Sequence, residues 1–224
     1  MKTEITLKVP TSYSDISLKK YLALQKEMEN YKDDEEAVTA VMLYHLCELD
    51  PNHLKGLAVE DYNSIKGELS QFIGNIELDL QKWIWIDGVE YGFEPNLSNM
   101  SYGAYSDITK YNNIAIDDNW ANIMSILYRP VTKKQGDMYG IQSYTGELNP
   151  QPFLNVGMDV HFGALFFLLG LSTDLLSDTL NSLKEMDMPP NMLPILQRSG
   201  HLTQLLTNWP TAISLSSMKL PNNP

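Results

Sequence analysis

Two pairs of residues in this sequence have the types that carry proton-transfer or metal chemistry. His45 and Cys47 are separated by a single residue, and so are Asp159 and His161. Imidazole and thiolate groups bind zinc, and a histidine beside a carboxylate is the pairing that general-base catalysis uses. Both pairs lie in segments with helical periodicity, where side chains two positions apart point to different sides of the helix. We therefore predict that these residues pack the helices, and we predict no catalytic residue, bound metal or cofactor.

A run of four carboxylates, from Asp33 to Glu36, could bind a hard cation, because Ca²⁺ requires several converging oxygen atoms. The run lacks the spaced acidic residues, the glycine and the terminal glutamate of an EF-hand loop. Carboxylates at the start of a helix interact favourably with the helix dipole, so we interpret the run as a helix start with Asp34 as N-cap. Sequence motifs of phosphate-binding loops, dinucleotide-binding turns, zinc proteases and serine hydrolases are absent.

Six aromatic residues fall close together near the middle of the chain and could stack on a nucleic-acid base or a sugar. They are Trp83, Trp85, Tyr91, Phe93, Tyr102 and Tyr105. No lysine or arginine is interleaved with them, although surfaces that stack on bases usually carry such basic residues. We therefore predict that the six rings form the core between a hairpin and the helix that follows it.

The overall charge and composition favour a globular protein without a broad nucleic-acid interface. The 224 residues carry a net charge of −12, 43% are hydrophobic and 10% are aromatic. Binding along a nucleic-acid backbone needs clustered lysine and arginine, which this balance disfavours. A single cysteine and the lack of an apolar stretch in the first ten residues lead us to expect an intracellular protein. We predict no transmembrane helix, because the most apolar run, Val160 to Leu176, contains His161 and Asp174.

The segment 82–111 sets the organisation that we predict for the chain. Apolar residues alternate about Asp87-Gly88, a pair that is typical of a two-residue hairpin turn. The apolar spacing then becomes helical, with Ser98 or Asn99 as the candidate cap. A hairpin is therefore expected to lead directly into a helix.

Further helices and one or two strands are predicted on both sides of this hairpin. Residues 3–9 alternate as a first strand, and residues 76–80 could add another. Arg129 stands at the end of a helix just before Pro130, and we expect it to reach Glu94 or a carbonyl of the hairpin. Residues 131–157 are interpreted as loop, with a short strand within 138–144. Helical periodicity marks, approximately, residues 17–31, 35–49, 59–73, 100–111, 120–128 and 158–184.

Two apolar features are the predicted interfaces with other proteins. The last helix is apolar on several faces around Phe166 and Phe167, which indicates burial in a core or under a partner. After Met188 the chain is punctuated by proline and nearly uncharged, which is typical of an extended arm that is ordered by lying on another surface. This arm, residues 188–224, carries as its anchors Leu193, Leu196, Leu202, Leu205 and Trp209.

Several segments carry a resemblance to a known group of proteins: ITLKVP followed by SLKKYL, then WIDGVEYGFEPNL, IMSILYRPV and GALFFLLG. In this pattern, over residues 3–180, the chain resembles small virion or tail-assembly proteins of tailed phages and prophages of Bacteroidetes, including crAss-like phages. The resemblance implies a virion component, such as a portal-proximal, tail or packaged cargo protein, or a chaperone of tail assembly. It also implies assembly in the cytoplasm of a host bacterium. It assigns no site residue, and the arm lies outside it.

We therefore predict an α+β, mostly helical protein. A central β-hairpin with one or two extra strands is packed by five or six helices within residues 1–187, and residues 188–224 form the extended C-terminal arm. We expect a non-enzymatic phage structural or assembly protein that contacts other phage proteins and forms an oligomer, a ring or part of a larger assembly. Three alternatives stay open: a tail-assembly chaperone absent from the mature particle, a small enzyme whose site combines His161, Asp159 and Cys47, and an ejected protein that exposes residues 160–176 to a membrane.

Overall fold

The computed structural model describes residues 7–74, 79–111 and 114–185. Within these ranges the protein is α+β and mostly helical, with seven α-helices and one four-stranded antiparallel sheet. The coarse prediction, an α+β and mostly helical protein, is therefore confirmed, and the described residues form seven helices where five or six were predicted. The predicted first strand lies mainly outside the described residues, and the C-terminal arm lies wholly outside them.

The described chain forms two compact units. The first comprises residues 7–74 and 155–159, and the second comprises residues 79–111, 114–154 and 160–185. The predicted division into a helical domain, residues 1–187, and an arm stays a prediction, because the arm is not described.

The helices of the first unit begin where the sequence supplies a cap. The Ser17 hydroxyl accepts the N–H of Lys20, and the Asp34 carboxylate accepts the N–H of Ala37 as predicted, so two otherwise unpaired donors are satisfied. A four-residue helix follows Asp50, outside the helices that the sequence predicts, because Asp50 and the proline after it form an N-cap and a first helical position. The helices are α1 (Leu18–Met28), α2 (Glu35–Cys47), α3 (Pro51–Leu54) and α4 (Val59–Gly74).

Residues 155–159 complete the first unit by pairing with the segment that enters α1. The N–H of Leu18 donates to the Val156 carbonyl at 3.0 Å, and the N–H of Met158 donates to the Ile16 carbonyl at 2.8 Å. Gly157 permits this approach, since a Cβ at that position would lie 2.7 Å from the Cα of Ser14. The buried side chains of α1 and α2 form the core beside it: Leu18, Tyr21, Leu24, Val41, Met42, Leu43 and Leu46.

The second unit contains the sheet, with the strand order β1-β2-β3-β4. Strands β1 and β2 pair across Asp87 and Gly88, whose φ angles of 49° and 79° are those of the tight turn that their residue types allow. The register places Trp85 opposite Glu90 and Trp83 opposite Gly92. The strands are β1 (Trp83–Ile86), β2 (Val89–Phe93), β3 (Tyr128–Gln135) and β4 (Met138–Ile141).

Strand β3 corrects the interpretation of residues 131–157 as loop. The preceding helix ends at Leu127 and the strand begins at the next residue, so it runs through Pro130, which pairs with Tyr91. Proline cannot continue a helix, so the sequence alone indicates a loop after it. Its fixed φ also suits a strand, and its carbonyl still accepts the N–H of Gln142 at 2.9 Å. The short strand expected within 138–144 is β4.

Three helices contribute buried side chains to the core of this unit. Gly163, in the last of these helices, allows the backbone before β1 to approach closely, because a Cβ at this glycine would lie 2.4 Å from the Asp79 carbonyl oxygen. The side chains of the second of these helices are buried almost all round: Trp120, Ala121, Ile123, Met124, Ile126 and Leu127. The helices are α5 (Tyr102–Thr109), α6 (Trp120–Leu127) and α7 (Met158–Glu185), of which α7 counts in this unit from residue 160.

Candidate functional site

His161 is part of the core of the second unit. Its side chain is completely buried, and its ring lies between α6 and the 3₁₀ turn that precedes α7. The indole N–H of Trp120 donates to Nδ1 at 3.1 Å, and Nε2 lies 3.1 Å from the Phe153 carbonyl oxygen. Because Nδ1 accepts a hydrogen bond, the proton of the neutral ring belongs on Nε2, which donates to that carbonyl. Both ring nitrogens therefore serve the packing that the sequence predicted.

His45 and Cys47 also fill structural positions. His45 Nε2 lies 2.6 Å from the Glu27 carboxylate and joins α2 to α1. Cys47 is buried, and the loss of solvation raises the pKa of its thiol to about 11. A raised pKa disfavours the thiolate that a nucleophile or a metal ligand needs.

The acidic run supports helix ends and a surface ion pair. Asp34 caps α2, and Glu35 lies 3.2 Å from the ammonium of Lys66 on α4. Among the residues that the structure describes, no three histidine, cysteine, aspartate or glutamate side chains group as metal ligands would.

Among the aromatic side chains of the described sheet only Trp85 is exposed, and we call the side of the sheet on which it lies the outer face. We define the outer face by Trp83, Trp85, Glu90, Lys134 and Tyr139. Alternation along β1 buries Ile84 and Ile86, and it leaves Trp85 71% exposed on the opposite side. Glu90 is directly across from Trp85 in the ladder, and Lys134 is across from Tyr139.

Trp83 is the fixed centre of the outer face. Its ring centroid lies 5.2 Å from that of Tyr139, and the Lys134 ammonium lies 4.3 Å above the ring. Tyr139 can reach across the sheet because Gly92 has no side chain, and a Cβ there would come within 2.6 Å of the tyrosine ring. The Tyr139 hydroxyl then donates to the Phe93 carbonyl at 2.7 Å. The two hairpins of the sheet are thus joined on this side by rings and one cation.

Lys134 connects this aromatic contact to a carboxylate. Its ammonium lies 2.5 Å from Oε1 of Glu90 while it covers the Trp83 ring. A cation above an indole and beside a carboxylate gains from both the ring quadrupole and the ion pair. The outer face therefore already contains one occupied cation site, formed within the chain.

The aromatic residues divide between the core and the surface. Phe93 is buried and makes edge-to-face contacts with Tyr128 and Phe167, at 5.2 and 5.6 Å between centroids. The prediction that the rings form a core is therefore correct for Phe93. It is wrong for Trp85 and for Tyr102, which is 79% exposed at the start of α5.

Arg129 performs the structural role that the sequence predicted. Its guanidinium lies 2.5 Å from the Glu94 carboxylate, and it also donates to the carbonyls of Ile126 and Gln142 at 2.7 Å. Both charged side chains are nearly buried, so the pair fixes the junction between α6 and β3 rather than a ligand.

The predicted interface residues are described only in part. Phe166 is partly buried and stacks on Phe162 at 5.8 Å, whereas Phe167 is 39% exposed. The other candidates lie outside the described residues: Leu193, Leu196, Leu202, Leu205 and Trp209.

No protein-family model, curated protein or solved structure matches this chain. None of the helices in the described ranges has the length and apolar character needed to cross a membrane. The outer face is the candidate functional site, because it combines an open indole, a partly exposed carboxylate and a rigid support. That combination can bind a partner side chain by stacking and by ion pairing.

Proposed function

We propose that this chain is a non-enzymatic structural or assembly protein of a tailed phage, portal-proximal, tail or packaged, that works through protein–protein contacts. The observation that carries the proposal is the presentation of Trp85, 71% exposed, by a paired strand whose neighbouring side chains are buried. Tryptophan is enriched among the residues that dominate binding energy at protein interfaces. The phage assignment is supported by the resemblance of segments over residues 3–180.

The contacts that hold the strand carrying Trp85 favour a binding role for this side chain. Trp83 is held by Tyr139 and Lys134, and the flanking Ile84 and Ile86 are buried in the core. An anchor presented by a paired strand loses little backbone entropy when it binds, so more of its contact energy appears as affinity.

The side chains that suggested enzymatic chemistry support the same proposal. His161 uses both ring nitrogens inside the core, and Cys47 is buried with a raised pKa. Both residues therefore have structural explanations that do not require a substrate.

The proposal includes two further contact elements. Phe167 presents an exposed edge on α7 while it packs against Phe93. The extended arm, residues 188–224, supplies the remaining apolar anchors, and burying each large side chain would contribute about 1.5–3 kcal/mol before the cost of ordering the arm. We propose that the hairpin of β1 and β2 and the arm both contact partner proteins.

Mass spectrometry of purified phage particles tests the assignment directly. We expect the chain at a fixed stoichiometry in the particles of a phage that encodes it. Its presence in infected-cell extracts and absence from particles would replace the virion role by that of an assembly chaperone. Normal particles from a phage lacking the gene would contradict both roles.

A matched pair of variants tests the surface. Trp85→Ser should reduce incorporation into particles about 10-fold or more, as expected for the loss of a central interface anchor. Tyr102→Ser is the control, because it removes an equally exposed ring from α5 in the same unit. Equal effects of the two substitutions would show that the outer face is not the contact surface.

A further inference from the structure

We propose that Trp85 and Glu90 form a binding site for a cationic side chain, preferably arginine, of a basic segment in a partner protein. This inference rests on the proposed function and names the chemistry of its partner. Trp85 and Glu90 are directly opposite in the β1–β2 ladder, so their Cβ atoms lie side by side on the outer face.

The chain contains an internal example of this interaction at Trp83, two residues before Trp85 on the same side of β1. The Lys134 ammonium lies 4.3 Å above the Trp83 ring and 2.5 Å from Glu90 Oε1. Trp85 follows Trp83 on the same side of β1, and its ring is open to solvent. A second cation, supplied by a partner, would therefore find at Trp85 the contacts that Lys134 has at Trp83.

Glu90 retains the capacity to bind a second donor. Oε1 accepts from Lys134, and within the described residues Oε2 has no hydrogen bond. The Glu90 side chain is 20% exposed, which leaves it in contact with solvent from which a guanidinium could approach. A carboxylate can accept several hydrogen bonds, and arginine offers five donors in a planar group that also stacks on indole.

The charges around Trp85 favour a basic partner over an apolar or acidic one. Asp87 is exposed in the turn next to Trp85, and the whole chain has a net charge of −12. An acidic partner would be repelled at long range, and an apolar partner would cover Asp87 and the Oε2 atom of Glu90 without pairing them. A basic segment instead places its positive charges where the carboxylates already are.

Titration of the full chain with three short peptides tests the proposal. The peptides have the sequence Gly-Xaa-Gly-Xaa-Gly with both ends blocked, and Xaa is arginine, citrulline or glutamate. The readout is the indole N–H signal of Trp85 in a ¹H–¹⁵N NMR spectrum, assigned from its loss in Trp85→Phe. We expect a saturable shift with the arginine peptide, binding at least about 3-fold weaker with citrulline, and no binding of the glutamate peptide.

Two variants show whether Glu90 and the internal cation take part. Glu90→Gln should weaken binding of the arginine peptide about 3-fold or more. Lys134→Met should strengthen it by a similar factor, because the peptide can then use the whole carboxylate and the Trp83 ring as well. The backbone signals of each variant report whether the sheet is intact.

Equal binding of the arginine and citrulline peptides, or no saturable shift with arginine, would overturn the cationic site. Tighter binding of a neutral oligosaccharide such as maltohexaose than of the arginine peptide would also overturn it and indicate a sugar platform. The docking role is tested separately: if Trp85→Ser blocks incorporation although the arginine peptide does not bind, the docking surface stands and only its chemistry is wrong. If the peptide binds and the chain has no place in phage assembly, the site stands and the proposed function is wrong.

Discussion

Two tryptophans of the second unit show that the same residue type can stabilise the core or remain available at the surface. Trp120 is completely buried on α6, and its indole N–H is satisfied by Nδ1 of His161. Trp85 is 71% exposed on β1, where water can satisfy the same group. A buried indole therefore needs a partner of matching polarity, while an exposed one leaves its ring face available for binding. The difference separates the side chain that holds the fold from the one that can act on another molecule.

The largest expected effect is a difference in the free energy of unfolding between variants of the two tryptophans. Trp120→Ala should lower the free energy of unfolding by about 3–5 kcal/mol, because it removes a large buried ring and leaves a cavity. Trp85→Ala should change it by less than about 0.5 kcal/mol, since its ring packs little surface. Urea unfolding followed by circular dichroism measures both values. Similar losses for the two variants would remove the distinction between a core ring and a surface ring.

The second expected effect concerns the hydrogen bond between the Trp120 indole and His161. His161→Leu should lower the free energy of unfolding by about 1–3 kcal/mol, because it leaves the Trp120 N–H without an acceptor in the core. The same substitution should cost less in a Trp120→Phe background, where that N–H no longer exists. A double-mutant cycle measures the coupling between the two positions. Strict additivity would mean that the hydrogen bond is not what makes histidine fit at this position.

Cys47 extends the contrast between buried and exposed groups to the first unit. Burial raises the pKa of its thiol to about 11, so little thiolate exists near pH 8. Alkylation by iodoacetamide at pH 8 should be at least about 100-fold slower in the native protein than in urea, where the thiolate fraction is ordinary. Mass spectrometry of quenched samples measures the two rates. Comparable rates would place the thiol at the surface and reopen a reactive role for it.

The smallest expected effect concerns a surface contact in the second unit. Hydrogen bonds from Lys110 and from the Tyr144 hydroxyl, at 2.5 Å for the tyrosine, hold the pKa of Asp107 below its ordinary value. A lowered pKa means that this carboxylate stabilises the fold at neutral pH, and that the contribution is lost as the pH falls through the lowered value.

Asp107→Asn should therefore be less stable than the parent at pH 7, with a difference that narrows below about pH 4. Urea midpoints measured across this range test the sign of the effect. Tyr144→Phe serves as the companion variant, because it removes one donor and leaves the charge in place. A difference that stays constant from pH 7 to pH 3 would show that ionisation of Asp107 is not involved.

Local chemistry was readable from the sequence wherever one residue type has one dominant use. Asp34 at the start of α2 and Arg129 beside Glu94 are found in the predicted roles. The cap of α5 is Ser101 instead of Ser98 or Asn99, because the segment before it forms a short 3₁₀ turn. The sequence does not predict strand β3, because Pro130 is compatible both with the end of a helix and with a position in a strand. Only the pairing with β2 shows that it lies in a strand.

The sequence by itself determined the fold class, the helix that Asp34 starts, and the fact that β1 alternates tryptophan with isoleucine. It did not determine which side of β1 faces water, because both sides carry large apolar residues and alternation alone cannot rank them. The tertiary structure made that choice by packing Ile84 and Ile86 into the core and by placing Tyr139 over Gly92 on the other side. Residues far apart in sequence thus decide whether a ring becomes core or binding surface, since burial is a property of the assembled sheet and not of the strand.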